Sequence, residues 1–200
     1  LKFNIIGISA KEKSKKRIFN INNYKWFDNP LDLINVPDCD VLIELIGKEK
    51  DISYDLIKEA LQKKIHVITA NKALLAKNGL ELFKIAEKNK TLLLFEAAVA
   101  GGIPIIKILK NNIFLNKIIK ISGILNGTTN YILSTMDKEN RTFADVLNIA
   151  QSKGYTSESE AELDIGGIDS AHKLTLLSTL AFGSKINFNN NYITGISDVH

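Results

Sequence analysis

A single cysteine, Cys39, leaves no partner for an intramolecular disulfide and suits a reducing compartment, the cytoplasm. It sits beside the apolar run Val41 to Ile46, which marks it as an inert buried thiol rather than a nucleophile. Histidine is scarce too: His66 and His172 share no metal-ligand spacing and no Cys/His cluster exists, which argues against a zinc site. No apolar run approaches the length of a membrane span. The opening stretch Leu1 to Ile6 is too short for a signal peptide and lacks a cleavage site. Nowhere is there a G-x-G-x-x-G fingerprint, an internal repeat or a low-complexity linker, and only three prolines occur. The excess of positive charge is small, 26 basic against 22 acidic residues. Those basic residues are dispersed without an aromatic platform among them, so no nucleic-acid partner is indicated.

What is present is an ordinary globular composition, 45% hydrophobic and 24% charged, with enough chain for a real core. Strand-like and helix-like patterns alternate over the first ninety residues. Lys2 to Ile8 reads as a strand and Cys39 to Ile46 as a continuously apolar, buried one. The spacing of Ile52, Leu56, Ile57, Ala60 and Leu61 predicts a helix over Asp51 to Lys64. Ile65 to Thr69 and Leu92 to Phe95 are further strands, with a helix over Gly79 to Asn89. Such alternation implies an α/β fold with a parallel sheet. After Phe95 the texture changes to the small-residue run Glu96 to Pro104, then helices at Ile105 to Leu109, Thr128 to Met136, Thr142 to Lys153 and Asp169 to Phe182. Lys117 to Leu125 is strand-like, and Gly154 to Gly167 reads as an acidic loop. The expected organisation is an incomplete Rossmann-like domain over residues 1–90, then an α+β domain over residues 91–200, which the resemblance described below makes the catalytic and dimerisation domain.

Several residues stand out on physical grounds. Asp169 and Lys173 lie four apart on one helical face, where a carboxylate orients an amine; on spacing alone a surface salt bridge is the stronger explanation. Lys72 follows a strand end, where open α/β sheets place ligands, and Gly47 ends its strand on the same edge. A plain helix C-cap is a sufficient reading of Gly154. The Glu96 to Pro104 run is by itself a tight turn. After Gly7-Ile8-Ser9-Ala10 come Lys11, Lys13, Lys15, Lys16 and Arg17, with Glu12 as the only carboxylate close by. A basic strand end of that kind favours the extra phosphate of NADP over NAD.

Five segments together resemble the homoserine dehydrogenase family in order and spacing. They are Asp40-Val-Leu-Ile-Glu-Leu-Ile-Gly47, His66-Val-Ile-Thr-Ala-Asn-Lys-Ala-Leu-Leu75, Phe95-Glu-Ala-Ala-Val-Ala-Gly-Gly-Ile-Pro104, Gly123-Ile-Leu-Asn-Gly-Thr-Thr-Asn-Tyr-Ile-Leu133, and a stretch from Gly154-Tyr155 to Asp164-Ile-Gly-Gly-Ile-Asp-Ser-Ala-His-Lys-Leu174. The resemblance implies interconversion of L-aspartate 4-semialdehyde and L-homoserine with NADP, or with NAD, in threonine, methionine and isoleucine biosynthesis. It also implies that the glycine fingerprint lies upstream of Leu1 and that further chain follows His200.

By the same resemblance Lys173 relays the proton, supported by Asp164, while Asp169 and Glu158 bind the substrate ammonium. Here the family pattern Gly-Tyr-x-Glu-x-Asp-Pro is replaced by Gly154-Tyr155-Thr156-Ser157-Glu158-Ser159-Glu160-Ala161, so Glu158 aligns only across one inserted residue. Lys72 comes to the nicotinamide and shares in proton movement, and Gly47 and Gly154 come to the cofactor. The carbonyls of Val99, Gly101 and Ile103, with Glu96 nearby, hold a structural, sodium-like cation. A homodimer is implied, with Lys117 to Leu125 as the candidate for sheet continuation between subunits. Two rivals stand beside this reading. One is another small-substrate dehydrogenase on the same fold, separable by assay with aspartate semialdehyde. The other is a cofactor-sensing or dimerising module, which binds nucleotide without turnover.

Overall fold

The computed structural model describes residues 3–47, 52–112 and 116–199, and the chain divides into two compact units, Leu1–Ala97 and Ala98–His200. The sequence places the change of texture slightly earlier, near residue 91.

The first unit is built on a three-stranded parallel sheet, β1 (Val41–Glu44), β2 (His66–Thr69) and β3 (Leu93–Leu94), in that spatial order. Helix α1 (Ser53–Gln62) connects β1 to β2, and α2 (Lys72–Asn89) connects β2 to β3. Ile57, Leu61, Val67, Leu74, Leu75 and Leu82 are wholly enclosed between the helices and the sheet. The α/β class expected from the alternation is the one found. Helix α2 starts seven residues before the Gly79 expected from periodicity, because the Asn71 side chain accepts the Leu74 N–H at 3.1 Å and caps it. The proposed first residue of α1, Asp51, lies outside the described residues, as does Lys2.

Three expectations for this unit need correction. The described part of Lys2 to Ile8 forms no strand; Ile8 makes one isolated parallel bridge to Trp26, and Phe3 and Ile5 are exposed. An apolar run becomes a strand only where a neighbouring ladder receives its backbone bonds. The second strand is shorter than Cys39 to Ile46 and is not buried throughout: Leu42 and Glu44 face inward while Val41 and Ile43 are exposed. In this unit β1 is an outer strand of the sheet, covered on one face. Cys39 is therefore only partly buried. Desolvation, followed by the neighbouring Asp40 charge, still pushes its thiol up from the ordinary value and disfavours the reactive thiolate.

The second unit is helical throughout its described elements. It contains α4 (Ile105–Asn112), α5 (Gly127–Glu139), α6 (Phe143–Ser152), α7 (Glu158–Ile165) and α8 (Ile168–Phe182), while the short α3 (Glu96–Val99) spans the division between units. Its core gathers Ile132, Val146 and Ala150, packed by Tyr131, Phe143 and Leu147. At the end of α6, Gly154 has φ +76° and donates to Gln151, and Tyr155 donates to Ala150. These two bonds are a Schellman closure, so Gly154 is the C-cap residue that the sequence suggests.

Two corrections apply here. Within the acidic stretch Gly154 to Gly167 lies α7, with Glu158 and Glu160 in its first turn, where acidic side chains complement the helix dipole. Lys117 to Leu125 carries no strand among the described residues, and Ile119 and Ile124 are 87% and 75% exposed. An Ile-rich pattern without a ladder leaves an extended, irregular segment.

Candidate functional site

The second unit concentrates its buried polar chemistry where α5, α7 and α8 begin or end. Asn126 caps α5, its Oδ1 accepting the Thr129 N–H at 2.8 Å. Its Nδ2 donates to Asp164 Oδ1 at 2.7 Å and to Asp169 Oδ2 at 3.1 Å. The Thr128 hydroxyl faces Asp164 Oδ2 at 2.9 Å and the Tyr155 carbonyl at 3.1 Å, sharing one proton between two acceptors. Lys173 donates to Asp169 Oδ2 at 2.7 Å and to the Leu125 carbonyl at 2.7 Å. The side chains of Lys173 and Asp169 are only 17% and 10% exposed. The surface-pair reading of these two is thereby set aside: a largely desolvated, doubly hydrogen-bonded ammonium is a built feature.

Asp164 and Asp169 reach each other because α7 and α8 are joined by Gly166 and Gly167. At Gly167 φ is +79°, and an added Cβ would lie 3.0 Å from Ile193 Cγ2 and 3.2 Å from the Thr194 carbonyl oxygen. The left-handed φ, with the 193–195 segment so close, favours glycine at this turn. Glu158, in contrast, is exposed at the first turn of α7, outside the hydrogen-bonded cluster. Two apolar cavities of about 310 and 420 Å³ flank Leu125 without a charged side chain in their walls. The chemistry resides in the polar cluster.

The first unit has its own polar centre at the C-terminal ends of β1 and β2. Glu44 is 1% exposed and accepts four bonds among the described residues. Its Oε1 takes the Ile46 N–H at 2.8 Å, the Gly47 N–H at 3.4 Å and the Ser53 hydroxyl at 3.0 Å; its Oε2 takes the Thr69 hydroxyl at 2.5 Å. The Thr69 oxygen in turn accepts the Asn71 N–H at 2.9 Å. One carboxylate thus fixes the Gly47 loop, the start of α1 and the approach to α2, whose first residue is the part-buried Lys72. Gly47 is exposed with φ +77° and open space where a Cβ would stand. All four bonds are donated to the carboxylate, so in Glu44→Gln the amide N–H must be received by a reversed Thr69 or Ser53 hydroxyl and charge-assisted bonds are lost, at an expected cost of about 1–3 kcal/mol. Urea denaturation of the full-length protein measures it; an unchanged midpoint would mean the amide is accommodated.

The basic loop is also organised. Arg17 donates to the carbonyls of Glu12, Lys13 and Lys15 at 2.6, 3.0 and 2.8 Å, and its guanidinium lies 5.5 Å from the Trp26 ring centre. Arg17 is thus committed to shaping the loop, and Lys11, Lys13, Lys15 and Lys16 carry its outward charge.

In the Glu96 to Ile103 run, Gly101 and Gly102 turn the chain with φ +78° at Gly102. The carbonyls of Ala100 and Ile103 accept the N–H groups of Ile103 and Ile105 at 3.2 and 2.8 Å. No group of three or more His, Cys, Asp or Glu side chains suited to a metal occurs among the described residues.

Of the sequence-predicted residues, Lys173, Asp169 and Asp164 meet in one cluster, while Gly47 and Lys72 stand at strand ends in the other unit. Glu44, Asn126 and Thr128 carry polar networks that residue-level reasoning passed over. Glu44 is the one carboxylate inside an apolar strand run, and Asn126-Gly127 before a helical pattern is an N-cap signature; both signals were legible.

Comparison with known proteins adds the following. Residues 104–200 match the model of the homoserine dehydrogenase family, and residues 1–96 match that of the homoserine dehydrogenase NAD-binding domain. A homoserine dehydrogenase from Neisseria gonorrhoeae is 47% identical over 84% of this chain and 38% of its own length. The crystal structure of a homoserine dehydrogenase from Thiobacillus denitrificans superposes with a TM-score of 0.89 at 40% identity, over 97% of this chain and 44% of that one. A hyperthermophilic archaeal homoserine dehydrogenase mutant in complex with NADPH gives 0.78 at 28% identity, over 90% and 55%. The chain spans less than half the length of the curated relatives it matches.

Proposed function

The chain belongs to the homoserine dehydrogenase family, and from that premise we propose that it is part of an enzyme interconverting L-aspartate 4-semialdehyde and L-homoserine, on the route to threonine, methionine and isoleucine. The observation that carries this reading is the Lys173 ammonium, held at 2.7 Å by both Asp169 and the Leu125 carbonyl in a largely desolvated cluster.

Chemically, reduction of an aldehyde builds negative charge on its oxygen. An ammonium aimed at that oxygen stabilises the charge and then delivers the proton. Lys173 has this role, and Asp169 orients it. The cluster holds two carboxylates, Asp164 and Asp169, against the single ammonium of Lys173, which touches Asp169 alone, and that balance suits the ammonium of the amino-acid substrate. Glu158 joins them as a substrate ligand, from its position at the start of α7. When bound, the nicotinamide supplies or takes up the hydride. Its site fits the first unit: Gly47 leaves open space at a strand end, Lys72 opens α2 beside it, and Glu44 holds both in place. Gly154 reaches the cofactor as well as capping α6. Lys72 lies at the nicotinamide and shares in proton movement. The carbonyls of Val99, Gly101 and Ile103, with Glu96, hold a structural sodium-like cation.

The enzyme is a cytoplasmic homodimer, with Lys117 to Leu125 gaining in the partner the ladder that a single chain does not give it. No helix among the described residues is long and apolar enough to cross a membrane. Sedimentation of the full-length protein as a monomer at micromolar concentration would count against the dimer. NADP is the preferred nicotinamide, since the Arg17-braced loop that follows the Ile8 bridge displays several lysines, with Glu12 as the one carboxylate among them. Steady-state assays of the full-length protein with aspartate semialdehyde test the whole reading. Turnover is expected, with a higher kcat/KM for NADPH than for NADH. Nucleotide binding without turnover overturns the enzyme; equal or better efficiency with NADH overturns the cofactor preference.

A further inference from the structure

We propose that Asn126 is a positioning residue for Lys173, holding the ammonium in place through Asp169 while it caps the adjoining helix. The proposal rests on the reading of Lys173 as the proton donor. An asparagine side chain has one acceptor and two donor hydrogens, and all three are used here. The acceptor closes the first turn of α5. The two hydrogens go to two different carboxylates, Asp164 and Asp169, and the residue is only 6% exposed, so water is a poor substitute for either.

The consequence for Lys173 is geometric. Asp169 Oδ2 takes both the Asn126 amide and the Lys173 ammonium. The preceding residue, Leu125, offers its carbonyl to the same ammonium. Residues 125 and 126 therefore grip Lys173 twice, once directly and once by way of Asp169. The amide also separates two like charges that would otherwise face each other in a poorly solvated place. Without it, Thr128 still steadies Asp164, but Asp169 loses the Asn126 amide. The loss of that bond lets the carboxylate shift away from Asp164 and draw the ammonium off the Leu125 carbonyl.

The competing explanation is that Asn126 is a helix cap and nothing more. Asparagine, aspartate and serine cap about equally well. Asn126→Ser and Asn126→Asp therefore keep the cap while removing the bridge, the first without charge and the second with a third carboxylate in the cluster. Thr142→Ala is the matched control: the Thr142 hydroxyl caps α6 by accepting the Asp145 N–H, away from the cluster.

In the full-length enzyme, kcat is expected to fall about 10–100-fold in Asn126→Ser, as misplacement of a catalytic group by about 1 Å does, and further in Asn126→Asp. KM for the aldehyde should change less than kcat, nucleotide affinity should hold, and Thr142→Ala should retain normal kcat. Crystal structures of the full-length protein and its Asn126→Ser variant read the positioning without any assay. The Lys173 ammonium is expected to shift by about 1 Å. An unmoved ammonium, normal kcat in Asn126→Asp, or an equal loss in Thr142→Ala overturns the proposal. If the unaltered full-length protein fails to reduce aspartate semialdehyde, the dehydrogenase reading falls instead, and the crystallographic comparison still decides the role of Asn126.

Discussion

With Lys173 as the proposed proton donor, Lys173→Ala in the full-length protein is expected to lower turnover by about 10²–10⁴-fold, the usual share of general acid–base catalysis. Nucleotide affinity is expected to hold. Stability should fall too, by on the order of 1–3 kcal/mol, since two charge-assisted bonds in a mostly buried setting disappear. The spacing alone suggests almost no change in stability; burial of the pair is what revises it. Asp169→Asn is expected to behave differently, weakening substrate binding along with turnover, because it would remove a carboxylate from the proposed ammonium site. A purely structural ion pair predicts that both substitutions cost stability and spare the chemistry. Steady-state kinetics with thermal melts separate the two cases, and near-normal turnover in Lys173→Ala would move the proton to Lys72.

Gly167→Ala should destabilise the second unit through backbone strain and crowding together. A left-handed φ costs an L-residue about 1–2 kcal/mol, and the new methyl meets Ile193 Cγ2 at 3.0 Å and a backbone oxygen at 3.2 Å. With the overpacking cost added, a loss of about 2–4 kcal/mol is expected. Turnover should drop in the same variant, since the turn fixes the distance between Asp164 and Asp169. Chemical denaturation and kcat on one preparation check both effects. An unchanged midpoint would show that the 193–195 segment yields to the methyl.

The chain's own pattern made some of this readable and hid the rest for identifiable reasons. Helices α1, α6 and α8 follow from apolar spacing and capping residues, signals that need no knowledge of what packs against them. Lys173 and Asp169 follow from the same logic, being one helical turn apart. The burial of β1 on one face only was not legible, because an apolar run looks alike whether one face or both is covered. Helix α7 was hidden by acidic residues that read as loop, although they sit in its first turn, where the dipole favours them. Lys117 to Leu125 has strand composition and no ladder, and composition carries no information about the partner. Asn126 was overlooked for a subtler reason: its value lies in bridging Asp164 and Asp169, 38 and 43 residues away, which no local pattern encodes.

The four bonds on Glu44 have a consequence for how the first unit opens. They join positions 2, 3, 9 and 25 residues downstream of the carboxylate, so the Gly47 loop cannot detach alone without leaving a desolvated charge behind. The loop, the first turn of α1 and the end of β2 should therefore come apart together, as one cooperative unit rather than as a frayed edge. In native-state hydrogen exchange the Ile46 amide should then be as slow as amides in the middle of β2, despite lying in a surface loop. In Glu44→Gln it should exchange earlier than they do.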